Sequence, residues 1–376
     1  MRILILGWYY SANLGDAVIC DCTAALLKAH YPQAEIVIRD MAGRTAFPQR
    51  KPVNLQETEK LRSRQKLREA ATRLGWDKQL SHQNWCLSRC LPQMEAVTEG
   101  QWDLAVFAGG QLFMDSLALY VDALVRKLEE KQVPVIFNAC GTGPSVSPAI
   151  RKTLAQTLKR PNVRLVSCRD DWEKVNGWCS SPVAVPTDDP ALWAGECYGI
   201  SASDSDTVGL GVLYPHSLSP KKTAAFWKRL IRALDEKQIR WKLFTNGFEQ
   251  DMEFARSLLD GRPENEYLAP APETPEELVR LIASFRGIIG FRLHSHIIGV
   301  SLGIPGAALV WDDKVRKFFD KMGIPEQCFT VDADAEAVIA ALEQAEPANR
   351  ERICAQRETA GKLLFSAVDA IRKGEA

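Results

Sequence analysis

One run constrains the fold more than any other: Ile288-Ile289-Gly290-Phe291-Arg292-Leu293-His294, continuing through Ser295-His296-Ile297-Ile298-Gly299-Val300-Ser301 to Leu302-Gly303-Ile304-Pro305. Its short apolar start reads as a buried strand, and its longer apolar continuation reads as a helix closed by Gly303 and Pro305. A buried strand that feeds directly into a helix belongs to an α/β protein with a parallel sheet. Ligands of such sheets bind beyond the carboxyl ends of the strands, where a helix N-terminus also presents free N–H groups to an anion. Arg292 and His294 stand at that junction, so they are candidates for anion binding and proton transfer. The competing reading is an arginine paired with a carboxylate and a histidine capping the helix.

At 376 residues the chain suits two ordinary cores better than one. Lysine plus arginine equals aspartate plus glutamate at 47 each, so no overall field draws in nucleic acid and any anion site must be local. The first residues, Met1 to Gly7, read as a strand rather than an export signal, because Asn13, Gly15 and Asp16 follow at once. No apolar run reaches membrane-spanning length. The ten cysteines are scattered, with no histidine partners at metal-ligand spacing. A zinc site is therefore not expected, and reduced thiols suit a cytoplasmic protein; no cofactor is expected either.

The first strand, Arg2 to Gly7, enters the loop Trp8 to Asp16 and then a helix. With a single glycine this loop is not a dinucleotide fingerprint. Asp16 reads first as the N-cap of that helix, while Asn13 and Gly15 shape a loop able to touch a substrate. After a second strand, Glu35 to Asp40, the segment 44–100 breaks the alternation as a helical insertion. Its basic 50–73 stretch reads mainly as a solvated face. The minority reading is a peripheral contact with the inner face of a membrane, aided by Trp76, Trp85 and Leu87. Alternation resumes at Asp103 to Ala108, which ends on Gly109-Gly110. Asp115 is next, as a helix cap or a site carboxylate. Strands at Val133–Ala139, Val163–Cys168 and Pro182–Pro186 complete the first half, and Arg169 leaves the second of these.

The Gly-, Ser- and Asp-rich segment Gly195 to Asp206 reads as a linker. The same strand-and-helix grammar then restarts at Val208 and runs to about residue 345. The expected architecture is α/β, with two Rossmann-like domains, 1–195 and 206–345, facing across a cleft in the arrangement called GT-B. A long helix within 346–376 is expected to pack back on the first domain. His216, just beyond the first strand of the second domain, is placed to face the cleft as a substrate contact. Lys314 is a further candidate for phosphate, or else a salt-bridge partner.

The junctions resemble the polysaccharide pyruvyl transferase family. The resemblance rests on Asn13-Leu14-Gly15-Asp16, Gly109-Gly110 with Asp115, Gly141-Thr142-Gly143-Pro144, Arg169-Asp170 and Thr187-Asp188-Asp189-Pro190-Ala191. It continues in Gly290-Phe291-Arg292-Leu293-His294, Gly303-Ile304-Pro305 and Asp313-Lys314-Val315, over roughly residues 1–320. The chain departs from the family pattern at Ala108, where a third glycine is usual, and at Glu173, where serine is common. The resemblance implies transfer of a pyruvyl group from phosphoenolpyruvate to two hydroxyls of a saccharide, lipid-linked or free, with release of phosphate. It also implies Arg292 and Arg169 as a clamp on the donor, with Leu293 beside them, and His294 as the acid/base, which protonates the enol carbon in a reaction that also takes protons from the attacking hydroxyls. A nucleotide-sugar glycosyltransferase on the same scaffold and a non-catalytic anion-binding relative are the competing functions. Against the first, no paired-glutamate element lies near the second-domain strand ends.

Overall fold

The computed structural model describes residues 1–51, 53–55, 94–215 and 218–375. In the first half, β1 (Arg2–Gly7), β2 (Glu35–Asp40), β3 (Leu104–Ala108), β4 (Val135–Asn138), β5 (Val163–Cys168) and β6 (Ala184–Pro186) form a six-stranded sheet in the order 2-1-3-4-5-6. In the second half, β7 (Val208–Gly211), β8 (Trp241–Phe244), β9 (Gly287–Gly290), β10 (Gly306–Leu309) and β11 (Cys328–Phe329) form a five-stranded sheet in the order 8-7-9-10-11. Every pairing is parallel. Short runs such as Leu104–Ala108, buried at every residue, suit this arrangement because helices cover both faces of a parallel sheet. The protein is thus the expected α/β molecule with two Rossmann-like sheets of the GT-B type.

Both sheets carry the same winding. In each, the chain starts on an inner strand, adds one neighbour on one side, then crosses over and builds outward on the other. Winding reverses between β1 and β3 in the first sheet and between β7 and β9 in the second. A crevice opens outside the carboxyl ends of the strands at such reversal points. Level registers place Gly7 and Ala108 at the same edge of the first sheet, and Gly211 opposite Gly290 in the second. Asn13 and Asp16 follow β1, Gly109 follows β3, and Arg292 follows β9, so the folding pattern itself gathers these residues.

Alternate side chains of β1 divide between two cores. Leu4 and Leu6 pack with Phe107, Phe113 and Phe137 on one face, while Ile3 and Ile5 pack with Leu27 and Ile136 on the other. A third core joins the halves. It unites Leu14, Val18, Ile19 and Cys22 of helix α1 (Leu14–His30) with Leu293, Ile297 and Ile298 of helix α2 (Leu293–Ser301). Each fully buried aliphatic side chain of this kind contributes about 1.5–3 kcal/mol. The backbone follows suit, since the Leu14 N–H donates to the Asn246 carbonyl at 3.0 Å. Helix α3 (Asp313–Met322) is capped by Asp312, whose carboxylate accepts from the Lys314 N–H at 3.1 Å.

Helix α4 (Arg350–Lys373) starts against the second half and ends on the first. Near its start the Gln356 side-chain amide donates to the Lys321 carbonyl at 2.9 Å. Near its end Leu364 and Val368 enter the core of β1 and α1, Phe365 stacks on His30, and Asp369 accepts from the Tyr31 hydroxyl at 2.9 Å. Among the described residues no helix is long and apolar enough to cross a membrane. Most of the basic 50–73 stretch, with Trp76, Trp85 and Leu87, lies outside the described residues.

Candidate functional site

A cavity of about 550 Å³ lies where the two reversal points face each other. Its polar lining comes from Asn13 and Asp16 after β1, Gln111 after β3, Arg169 after β5, Arg292 and His294 after β9, and Lys314 on α3. Trp8, Tyr120, Phe248 and Trp311 supply an aromatic lining. Three cations from both halves therefore face one small space, although the chain as a whole has formal net charge +0.

His294 and Arg169 touch. Arg169 Nη1 lies 3.0 Å from His294 Nε2. A guanidinium can only donate, so Nε2 accepts and the imidazole proton sits on Nδ1. Burial pushes His294 down to about 3, and the neighbouring Arg169 charge adds to the effect while Asp189 opposes it. The imidazole is consequently neutral in the protein alone. Arg169 keeps its charge. Burial works against it, but Asp189, joined to Nη1, and Asp170, 3.5 Å from Nε, hold it above the ordinary arginine range.

Arg292 is the N-cap residue of α2, and its backbone there is extended. Its guanidinium lies over the Phe248 ring at 4.6 Å and donates through both Nε and Nη2 to Asp251. Asp251 is itself anchored, accepting from the Tyr214 N–H at 2.8 Å. Lys314 Nζ donates to Gln111 Oε1 at 2.8 Å and sits 4.7 Å from the Trp311 ring centre. Burial lowers it to about 8. Asp16 is half-buried and lines the cavity. Burial raises it to about 6 even though Arg169, Lys314 and Arg292 pull the other way.

Two glycine sites allow this assembly. A Cβ on Gly15 would stand 2.5 Å from His294 Nδ1, so the histidine ring rests on the bare backbone of α1. Gly109 and Gly110 have φ of +56° and +74°, a left-handed turn that side chains resist. That turn brings the backbone next to Asp16, whose Oδ1 is 3.6 Å from where a Gly110 Cβ would be.

The family model described as polysaccharide pyruvyl transferase matches residues 13–313. The chain belongs to that family. No curated protein matches it in sequence. In fold it is similar to the UDP-GlcNAc 2-epimerase from Neisseria meningitidis bound to UDP-GlcNAc, with 11% identity, a TM-score of 0.57, and coverage of 98% of this chain and 99% of that one. It is also similar to the α,α-trehalose 6-phosphate synthase from Burkholderia multivorans, with 11% identity, a TM-score of 0.53 and coverage of 100% of both chains. Likeness at that identity is one of fold, and it agrees with the GT-B architecture.

The cavity of this polysaccharide pyruvyl transferase family member brings together Asn13, Asp16, Gly109, Gly110, Arg169, Arg292, Leu293, His294 and Lys314, with Gly15 packed behind His294. His216 lies outside the described residues. Asp16 is not the helix cap expected of it. α1 begins at Leu14 with Asn13 in the cap position, so Asp16 falls in the first turn and turns inward. Asp115 is neither a cap nor a lining residue. Its carboxylate accepts from the Ser147 N–H at 2.9 Å, while the next helix starts at Ala118. Arg292 does have a carboxylate partner, as its competing reading had it, yet it also lines the cavity. Asp189 and Asp251 as arginine partners, Gln111, and the aromatic lining are not evident from the sequence. Trp8 carried a signal, since it directly follows β1 at the ligand-binding edge. Among the described residues no group of His, Cys, Asp and Glu is arranged to hold a metal ion.

Proposed function

We propose that the protein transfers the pyruvyl group of phosphoenolpyruvate to two hydroxyls of a saccharide, forming a cyclic ketal and releasing phosphate. The observation that carries this reading is the convergence of Arg169, Arg292 and Lys314 on one cavity beside His294, within a chain of the pyruvyl transferase family. The donor bears a phosphate and a carboxylate, and planar guanidinium forks bind both bidentately. Arg169 and Arg292 come from opposite halves, so a donor bridging them is held in a fixed pose, which favours reaction by orientation. The aromatic side chains of Trp8, Tyr120 and Trp311 offer apolar surface to the sugar ring of an acceptor. As a neutral imidazole, His294 is suited to take a proton from an attacking hydroxyl.

The test is phosphate release from phosphoenolpyruvate across a panel of amino-sugar, galactosyl and glucosyl acceptors. Release with at least one acceptor is expected. Phosphoenolpyruvate should also raise the thermal unfolding midpoint, whereas a nucleoside diphosphate should not. Protection by the nucleotide alone would move the protein to the nucleotide-sugar enzymes that share its fold.

A further inference from the structure

Making the ketal requires a proton at the methylene carbon of the donor, and the structure points to a source other than the histidine. Among the described residues lining the cavity, Asp16 alone carries a carboxyl group. The other nearby carboxylates are committed: Asp189 and Asp170 to Arg169, and Asp251 to Arg292. Among the described residues Asp16 takes part in no ion pair within 4.0 Å. Its Oδ2 accepts from the Asn13 side-chain amide at 3.2 Å, and its Oδ1 faces the Gly110 turn. We propose, resting on the pyruvyl-transfer reading, that Asp16 is the acid that protonates the enol carbon and that His294 is the base for the attacking hydroxyl.

The two groups are driven apart by their surroundings, which is how one site holds an acid and a base at the same pH. The charged and titratable groups around Asp16 are Arg169, Arg292, Lys314 and His294, brought by β5, α2 and α3, and the buried Cys20 thiol one turn along α1. One donor anion about 4 Å away, at an effective dielectric of about 20, raises the proton affinity of either group roughly a thousandfold. Asp16 starts at about 6 and His294 at about 3. The same increment carries Asp16 above neutrality and leaves His294 below it.

The protons then balance. Asp16 gives its proton to C3 of the donor as the double-bond electrons form the new C–H bond. As Arg169 Nη1 turns from His294 Nε2 to the donor, the first hydroxyl oxygen bonds to C2 and its proton passes to the freed Nε2. The C2–O bond to phosphate breaks with its electron pair on the leaving oxygen, which takes the proton from His294. The second hydroxyl closes the ketal at C2, and its proton restores Asp16. Of the two hydroxyl protons, one ends on the methyl group and one on phosphate.

The test uses the full chain and phosphoenolpyruvate alone, titrated calorimetrically near neutral pH in buffers of different ionisation enthalpy. The unaltered protein should take up close to one proton more than Asp16→Asn, while His294→Gln should keep the full uptake. Equal uptake in the unaltered protein and Asp16→Asn overturns the assignment, and so does an uptake lost only in His294→Gln. No binding by the unaltered protein overturns the donor reading, and this inference with it. In turnover with a productive acceptor, Asp16→Asn should lose about 10²- to 10⁴-fold in kcat. A loss confined to KM would make Asp16 a binding residue and refute the proposal. Should the asparagine variant not fold, Asp16→Glu keeps the carboxyl but displaces it. A shifted alkaline limb of its pH–rate profile supports the assignment, and an unshifted limb overturns it.

Discussion

Asp16→Asn should make the protein more stable, and the gain should depend on pH. Burial holds the Asp16 proton to about 6, against an ordinary value of 3.8. In the unfolded chain the carboxyl ionises at the ordinary value, so between the two values the folded state binds more protons. Stability contributed by this group is therefore lost as pH rises through that window. At about 1.4 kcal/mol for each tenfold change in proton affinity, the full penalty above the window is about 3 kcal/mol. An isosteric amide removes the ionisation and keeps the shape. The expected gain is about 2–3 kcal/mol near pH 8, shrinking to under about 1 kcal/mol near pH 4. Urea unfolding of both proteins at those pH values measures it, with unchanged slopes showing that the unfolded reference is the same. A variant less stable than its parent near pH 8, or a gain equal at both pH values, would show that Arg169, Lys314 and Arg292 stabilise the carboxylate fully and that its affinity is not raised.

Other substitutions probe the rest of the site. His294→Gln should lower kcat by about 10²- to 10⁴-fold in phosphate-release assays while leaving phosphoenolpyruvate affinity within about threefold. The same variant should resist acid better. The native imidazole is pushed from 6.5 to about 3, so its favourable contribution is complete above 6.5 and lost as pH falls, and glutamine has none to lose. Thermal melts between pH 7 and pH 4 would reveal this. Arg292→Lys keeps a charge for Asp251 but loses the fork, so donor affinity measured by titration should fall about tenfold or more, the worth of about 1.5–3 kcal/mol for a charge-assisted hydrogen bond. Gly15→Ala places a methyl 2.5 Å from the His294 ring. Destabilisation by about 1–3 kcal/mol and a loss of turnover should appear together, and wild-type activity in that variant would show that the ring position is unimportant.

Much of the fold is legible in the sequence because buried parallel strands announce themselves. Leu104–Ala108 and Val208–Gly211 are short and apolar, the first followed by a glycine and the second ending on one, which suits buried strands. Arg292 and His294 are legible for the same reason, since strand ends mark where ligands bind. What stays hidden depends on how the two sheets are turned towards each other. Nothing local says that Arg169 reaches Asp189 and His294, or that Arg292 reaches Asp251. Asp16 was read as a cap because an aspartate ahead of an apolar helix looks the same at the cap as in the first turn, and only the true start at Leu14 separates the two. The protonation states were likewise unreadable. The resemblance implies proton transfer by His294 without fixing its charge, whereas burial against Arg169 makes the imidazole neutral.

The return of α4 has a mechanical consequence. Because the chain leaves the first half near Tyr198 and comes back along α4 to β1 and α1, the second sheet is suspended between two strands of covalent backbone. A body hung from one point can swing in any direction, but one hung from two can only turn about the line through them. The two crossings oppose sliding of one sheet past the other, so rotation about the line through them is the least hindered relative motion, like a door on two pins. Any such rotation changes the gap between Arg169 and Arg292 along one coordinate. Cutting α4 after its first turns would remove one pin and leave the spacing of the guanidiniums to the contacts between the halves, among them the core of α1 with α2 and the Leu14–Asn246 and Lys314–Gln111 hydrogen bonds.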